Sequence, residues 1–168
     1  MRLIIHDLNQ EDASKAGIFD LAESENIIVD SNGENHYCIG CFACWLKTPG
    51  RCVIKDDYQG MGEKISKVDE LFIISKSTFG SYSSVVKNVL DRSISYVLPY
   101  FDIRNGEMHH GERYHNDLKV SAVFYGDDIT DAERETSRNL VHANAVNLNG
   151  TVGHVMFVDN MEILKEVL

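Results

Sequence analysis

Four cysteines stand close together in this chain, and they are all the cysteines that it has. Cys38, Cys41, Cys44 and Cys52 follow the spacing C-x2-C-x2-C-x7-C. A thiolate is both a soft metal ligand and a nucleophile, so clustered thiols indicate redox or metal chemistry. Three kinds of site agree with the pattern: a [4Fe–4S] cluster, a zinc site, or a folded loop of free thiols without metal.

Five apolar segments alternate with helical patterns along the chain. Most of them run continuously rather than alternating with polar residues, as strands do when helices cover both faces of a parallel sheet. The predicted strands are Leu3–His6, Ile27–Asp30, Leu71–Ser75, Val120–Tyr125 and Val152–Val158. The predicted helices are Glu11–Ser24, Tyr58–Val68, Ser84–Val97, Thr130–Leu148 and Asn160–Leu168. Gly17 interrupts the first helix, and Thr130 with Glu133 predicts a capping box in the fourth.

This alternation predicts an α/β fold of one domain, residues 1–168. We expect a doubly wound sheet of five parallel strands in the flavodoxin-like order 2-1-3-4-5. Ligands bind such sheets beyond the carboxyl ends of the strands. Those ends lead into His6–Leu8, Ser31–Asp57, Lys76–Ser83 and Gly126–Asp128. Two connections, 31–57 with the cysteines and 98–118, are predicted to be long loops with a functional or interfacial role.

The overall charge narrows the classes of partner. A net charge of −10 argues against nucleic acid, whose phosphates attract Lys and Arg, and against an anionic membrane surface. No apolar run approaches the roughly 20 residues of a membrane-spanning helix. We therefore expect a cytoplasmic protein that keeps its thiols reduced and binds small molecules.

Two segments resemble one known family. Residues 41–45 (CFACW) and 50–57 (GRCVIKDD) resemble the loop after the second strand of the flavodoxin-like NAD(P)H-dependent FMN reductases, a group that includes the iron–sulfur flavoproteins. Residues 79–92 (FGSYSSVVKNVLDR) resemble the loop and helix after their third strand. The resemblance implies an FMN cofactor, hydride transfer from NAD(P)H to a flavin, quinone or other small acceptor, and a homodimer. It also implies that the four cysteines, if they bind metal, hold an iron–sulfur cluster.

A flavin ring would rest on the loop after the third strand. Gly80 permits close approach of the backbone there, and Phe79 or Tyr82 can stack on the ring. The candidate cofactor-binding residues are Thr78, Phe79, Gly80, Ser81, Tyr82, Ser83, Tyr125, Gly126 and Asp127. In the simpler interpretation, Gly80, Ser81 and Ser83 form a turn and cap the next helix. No side chain is expected to be an obligatory acid or base, because hydride passes directly between rings.

The loop after the first strand departs from the family. The relatives hold the FMN phosphate there with glycines and hydroxyl groups at a helix N-terminus. This chain has Asp7, Glu11 and Asp12 instead, and like charges repel a phosphate dianion. We therefore expect weak FMN binding. The alternative is a non-catalytic descendant that has lost FMN and serves as a thiol sensor or a structural or interaction protein.

The segment 96–115 is too apolar to lie free in water. Aromatic residues concentrate in interface cores, so the segment predicts a homodimer in which it covers the partner's active-site mouth. Its apolar side chains are Tyr96, Leu98, Tyr100, Phe101, Ile103, Met108 and Tyr114.

Overall fold

The computed structural model describes residues 1–22, 25–31, 33 and 35–168. The elements follow one another as β1 (Arg2–His6), α1 (Gln10–Lys15), α2 (Ile18–Ala22), β2 (Ile27–Asp30), α3 (Ala43–Leu46), α4 (Met61–Ser66), β3 (Glu70–Lys76), α5 (Ser84–Arg92), a 3-10 helix (Ile94–Tyr96), β4 (Val97–Arg104), β5 (Glu107–Glu112), β6 (Lys119–Tyr125), α6 (Asp131–Asn147), β7 (Thr151–Val158) and α7 (Met161–Val167).

Five parallel strands form the sheet in the order β2-β1-β3-β6-β7. Counted among the parallel strands alone, this is the order 2-1-3-4-5, so the predicted fold is confirmed. The chain runs outward from β1 to one edge of the sheet and then from β3 to the other. The crevice between the carboxyl ends of β1 and β3 is therefore the topological switch point, where doubly wound folds bind ligands.

Both faces of the sheet are buried, which explains the continuous apolar strands. Leu3 and Ile5 of β1 contribute to a core that α4, α5 and α6 cover. Ile4, between them, points to the other face and packs into the core beneath α1, α2 and α7. Successive side chains of a strand thus alternate between two apolar environments, and neither position needs a polar residue.

The helices differ from the prediction mainly at their ends. Gly17, with φ of +73°, separates α1 from α2, so the first predicted helix is two short ones. Glu23 and Ser24, its last predicted residues, and residues 32 and 34 of the cysteine connection lie outside the described residues. The predicted helix Ser84–Val97 ends at Arg92 and continues as the 3-10 turn. The predicted capping box of α6 is present between Thr130 and Glu133.

The connection 98–118, predicted as a loop, folds mostly as a β-hairpin. Its strands β4 and β5 are antiparallel and form a separate two-stranded sheet. The sequence pattern did not show it because apolar side chains of the hairpin are exposed, three on β4 and Met108 on β5, so no alternation marks a buried face. In the described part of the chain, no helix is long and apolar enough to cross a bilayer.

Helix α4 and the 3-10 helix touch at a glycine. A Cβ atom added to Gly62 would lie 2.6 Å from Ser95 Oγ and 2.8 Å from the backbone nitrogen of Tyr96. These distances are shorter than van der Waals contact, so a larger residue forces the two elements apart.

We expect Gly62→Ala to lower the free energy of unfolding by about 1–3 kcal/mol through overpacking. At an unhindered helix position the same change stabilises by up to about 1 kcal/mol, so the sign of the effect tests the contact. Urea denaturation followed by circular dichroism measures it. Glu63→Ala, on the exposed face of the same helix, serves as the control and is expected to change stability by less than about 1 kcal/mol. A gain in stability for Gly62→Ala contradicts the expectation.

Candidate functional site

Asp7 bridges the topological switch point. It follows β1 directly, and its carboxylate accepts hydrogen bonds from the backbone N–H of Lys76, at 3.1 and 3.2 Å to the two oxygens. The hydroxyl of Ser75 donates to the same carboxylate at 3.4 Å. The carboxyl ends of β1 and β3 are thus joined by a side chain of the protein itself.

Tyr125, at the end of β6, faces the same carboxylate. Burial raises the pKa of Tyr125, and the charge of Asp7 and a hydrogen bond to it raise the pKa further. The phenol therefore stays protonated at neutral pH and donates to Asp7. The backbone N–H of Ser77 donates to the Tyr125 carbonyl at 2.8 Å, which brings the ends of β3 and β6 together.

Helix α1 begins beside Asp7, and its first turn is acidic. The side chain of Asn9 caps this helix by accepting from the backbone N–H of Asp12 at 2.9 Å. Its amide group donates to the Asp12 carboxylate at 2.8 Å. Glu11 is paired with Lys15 at 2.7 Å. The loop after β1 and the first turn of α1 are thus closed by contacts among their own side chains.

A tight turn rises from the end of β3. Thr78 and Ser81 exchange two backbone hydrogen bonds of 2.9 Å, and the residues between them, Phe79 and Gly80, have φ of +53° and +76°. Gly80 lies against α6, where an added Cβ would sit 2.8 Å from the carbonyl oxygen of Glu133. The ring of Phe79 is 89% exposed. The turn therefore holds one aromatic ring out in solvent on a rigid backbone.

Tyr82 and Ser83 support this turn from below. The Tyr82 ring is buried and stacked on Phe124, with 5.3 Å between ring centroids. Burial raises the pKa of Tyr82 to about 12. Ser83 caps α5 through its hydroxyl, and its own N–H donates to Ser75 Oγ at 2.8 Å. Tyr82 thus lies in the core and not at the open mouth, and the cap that the simpler interpretation gives to Ser83 is present.

Gly126 and Asp127 extend β6 on the far side of the turn. The Gly126 N–H donates to the Val158 carbonyl at 3.3 Å, which keeps the segment on the sheet, and Asp127 is exposed. The structure therefore gathers the turn Thr78–Ser81, the segment Tyr125–Asp127 and Asp7 at one edge.

The sequence placed His6 at the carboxyl end of β1 but gave its side chain no role. The side chain is 3% exposed, and its Nδ1 has no hydrogen-bond partner within the described part of the chain. Burial lowers the pKa of His6, although the charges of Asp30 and Asp7 act in the opposite direction. The imidazole is therefore neutral at pH 7. The signal for it was a polar residue ending an otherwise apolar strand.

All four cysteines line one cavity of ≈ 40 Å³, which has room for a few water molecules. All four are free thiols; Cys38 and Cys41 are exposed, whereas Cys44 is buried. Burial raises the pKa of the Cys44 thiol, and the charges of Cys52, Cys38 and Cys41 add to this effect. Among the described residues, no three His, Cys, Asp or Glu side chains form a group that could hold a metal ion.

A buried ion pair anchors the cysteine segment. Arg92 of α5, with a side chain 0% exposed, donates from both terminal nitrogens to Asp56, at 2.6 and 2.8 Å. It also donates to the His36 carbonyl at 2.6 Å. Burial alone would lower the pKa of Arg92, but Asp56 and the neighbouring Cys52 raise it. The guanidinium therefore stays charged and holds both ends of the segment on α5.

Asp56 completes this anchor. Burial alone would raise the pKa of Asp56, but hydrogen bonds from Arg92 and from the amides of His36 and Tyr58 lower it overall. The Asp56 carboxylate is thus satisfied by several donors, whereas Nε of Arg92 has no hydrogen-bond partner within the described residues. Arg92 is therefore structural, and Lys87 and Asp91 of the same helix form an exposed pair at 2.6 Å.

An apolar band, exposed at Phe42 and Phe101 and half-buried at Trp45 and His110, runs from the cysteine segment onto the hairpin. Phe42 stacks on Trp45 at 5.4 Å, Trp45 contacts His110 at 4.9 Å, and His110 contacts Phe101 at 4.6 Å. Tyr96 and Tyr114, which were expected at an interface, stack on each other at 5.7 Å instead. Tyr96 is 3% exposed and belongs to the core of its own chain because its hydroxyl finds Asn116 there.

Comparison with known proteins finds a partial match to a flavoprotein. The chain is 35% identical over 85 residues to an iron–sulfur flavoprotein of Archaeoglobus fulgidus. That match covers 51% of this chain and 41% of the relative, so the chain spans about two fifths of the relative's length. No family model matches the chain.

Solved structures of similar fold cover nearly the whole chain. An azoreductase, AzrA, superposes with a TM-score of 0.60 at 10% identity, over 98% of this chain and 89% of that one. An NAD(P)H:quinone oxidoreductase from Methanothermobacter marburgensis superposes with a TM-score of 0.59 at 14% sequence identity, over 99% of this chain and 92% of that one. An FMN-dependent NADH-azoreductase from Bacillus anthracis, in complex with FMN, superposes with a TM-score of 0.53 at 10% sequence identity, over 99% of this chain and 92% of that one.

The strand order and these neighbours define a flavodoxin-like α/β protein. The match to the iron–sulfur flavoprotein confirms the family resemblance that the two sequence motifs indicated. The solved structures are 10%, 14% and 10% identical in sequence to this chain, so their similarity shows the fold alone.

We expect Asp56→Ala to lower the free energy of unfolding by about 3–5 kcal/mol, because it leaves Arg92 buried without its partner. Asp91→Ala, which breaks the exposed pair one residue away on α5, is expected to cost less than about 1 kcal/mol. Urea denaturation measures both.

The effect of Asp56→Ala depends on pH. The pKa of Asp56 is depressed in the folded state, so its contribution is present above the unfolded value of about 3.9 and is lost as the pH falls through the folded value. The difference between wild type and Asp56→Ala should therefore shrink below about pH 4. If Asp56→Ala and Asp91→Ala lower the free energy of unfolding by the same amount at pH 7, the ion pair of Arg92 and Asp56 does not anchor the cysteine segment.

Proposed function

We propose that this chain is an NAD(P)H-dependent oxidoreductase of the FMN-reductase type, which reduces a flavin, a quinone or another small acceptor at the carboxyl edge of its sheet. The observation that carries the proposal is the switch point between β1 and β3, flanked by the exposed Phe79 turn and by the end of β6. Two structural neighbours are named for NAD(P)H-dependent reduction of quinones and azo compounds, which agrees with this reaction class.

The proposed cofactor-binding residues act in two ways. Thr78, Phe79, Gly80 and Ser81 offer a rigid turn with one free aromatic ring, and Tyr125, Gly126 and Asp127 form the opposite wall. Tyr82 and Ser83 fix the turn from inside the core. No side chain is assigned a proton transfer, because His6 is neutral and enclosed and Tyr125 holds its proton.

The residues present do not fit the phosphate of FMN. A phosphate needs free N–H donors or cations, and at this switch point the Lys76 N–H already donates to Asp7. Asn9 occupies the Asp12 N–H of α1. We therefore assign no reaction step to bound FMN, and we keep the flavin ring, rather than the whole nucleotide, as the ligand of the edge.

A second candidate function is electron transfer through an iron–sulfur cluster. The observation that favours it is the single cavity lined by all four cysteines. Cys38, Cys41, Cys44 and Cys52 would be the ligands, and thiolates are the donors that such clusters require. The described residues hold no converging group of three such ligands, so the cysteine side chains would have to rearrange to bind a cluster.

A non-catalytic thiol protein is the alternative from another class. It is favoured by Asp7, which closes the switch point, and by four free thiols in one place. Free thiols also support a reducing compartment, and we propose the cytoplasm.

We expect anaerobically purified protein, incubated with riboflavin, to show the two visible bands of a bound flavin and to oxidise NADH or NADPH. A broad brown shoulder would support the iron–sulfur function instead. Protein that neither takes up a flavin nor oxidises a nicotinamide with any flavin would contradict the enzyme and favour the thiol protein.

The turn provides a sharper version of this test. Phe79→Gly keeps the positive φ and removes the ring, so stability should hold while the dissociation constant for the flavin rises about 3- to 10-fold, the scale of one aromatic stacking contact. Asn149→Gly is the matched control, since Asn149 has φ of +58° in a turn at the opposite edge. An unchanged dissociation constant in Phe79→Gly would remove the turn from the site.

We also propose that the chain forms a homodimer through the apolar band together with the exposed apolar side chains of the β4–β5 hairpin. Tyr100 and Phe101 are 74% and 60% exposed, and Ile103 and Met108 of the same hairpin are 79% and 69% exposed. Burying such side chains contributes about 25 cal/mol per Å2 of apolar area.

Light scattering should give a mass near twice that of one chain. Tyr100→Asp with Phe101→Asp should give a soluble monomer, because each partner would bury carboxylates. Phe19→Asp, at a residue 52% exposed on α2, is the control and should remain dimeric. A wild-type monomer at micromolar concentration overturns the dimer.

A further inference from the structure

The ligand that this edge accepts can be narrowed by the charge that occupies it. In the flavodoxin-like strand order the flavin nucleotide sits at the β1/β3 switch point. An anionic group bound there has to compete for hydrogen-bond donors. The donors at this position, the Lys76 N–H and the Ser75 hydroxyl, already serve the Asp7 carboxylate at 3.1 to 3.4 Å. Asp7 thus stands where an external anion would be bound.

The neighbouring helix adds repulsion. The first turn of α1 carries Glu11 and Asp12, and the cation of the same helix, Lys15, is paired with Glu11 at 2.7 Å. A flavin phosphate bears about −1.5 to −2 charges at neutral pH. Asp7 and Asp12 both act on Tyr125 at this position, so two carboxylates would lie near the phosphate, and the lysine of α1 is already paired with Glu11.

A flavin without phosphate meets a different environment. Its ribityl chain ends in a neutral hydroxyl group, which can donate a hydrogen bond to a carboxylate. Asp7 and Asp12 are acceptors of that kind, and the Phe79 turn, which would hold the ring, does not depend on them. The acidic loop therefore favours flavin without phosphate and opposes FMN.

We propose that Asp7 is a specificity-determining residue that makes this chain prefer phosphate-free flavin, such as riboflavin, over FMN. This inference rests on the proposed function, because it assigns the ligand of the same edge. It turns the poor fit of the loop to phosphate into selection for a neutral ligand.

Fluorescence titration of the full chain with riboflavin and with FMN tests the inference. Wild type should bind riboflavin about tenfold or more tightly than FMN, the scale of one unfavourable charge contact. Asp7→Asn keeps an oxygen that accepts from the Lys76 N–H and removes the charge, so it should narrow the ratio by tightening FMN. Asp12→Asn should act in the same direction and less strongly. Added salt should narrow the wild-type ratio by screening.

Asp117→Asn is the control, because Asp117 is an exposed carboxylate just before β6, at the opposite edge of the sheet. It should leave the ratio of the two dissociation constants unchanged. Wild-type preference for FMN, or a ratio that Asp7→Asn and Asp12→Asn both leave unchanged, overturns this inference and leaves the oxidoreductase standing. Absence of binding of either flavin to wild type and to both variants overturns the proposed function as well.

Discussion

The buried pair of Arg92 and Asp56 is the interaction on which the cysteine segment depends. The connection between β2 and α4 is long, and α3 is the one regular element among its described residues. Arg92 fixes it at the His36 carbonyl and at Asp56, and Asn88 of the same helix accepts from the N–H of Cys38 at 3.1 Å. Helix α5 therefore positions the cysteine cavity, and Ser83 in turn sets where α5 begins.

The two ends of that helix divide the molecule into regions of different chemistry. At its start lies the edge of the sheet, with Asp7 and the Phe79 turn. At its end lie Arg92 and the thiols. Both regions use a carboxylate satisfied by the protein's own donors, and the consequence differs: Asp56 balances a cation and stabilises a loop, whereas Asp7 takes up donors that a ligand could otherwise use.

The strands could be predicted from sequence because burial on both faces leaves long apolar runs that no other element in this chain shows. The switch point followed from the strand order. Three features could not be predicted, since each depends on contacts between distant residues. Tyr82 had the composition of a stacking residue, but Phe124 of β6 draws it into the core. The hairpin exposes Phe101 and Ile103, so it lacks a pattern of burial. The sequence showed the carboxylate of Asp7 in this loop, but its hydrogen bonds from the backbone N–H of Lys76 could not be predicted.

The geometry of Phe79 has a thermodynamic consequence. Two reciprocal hydrogen bonds and the contact of Gly80 with α6 fix the backbone beneath the ring, so its conformational entropy is lost when the protein folds and not when a ligand arrives. Association of a planar molecule with this ring then orders little of the protein, and its dominant signature is the negative heat-capacity change of apolar surface leaving water.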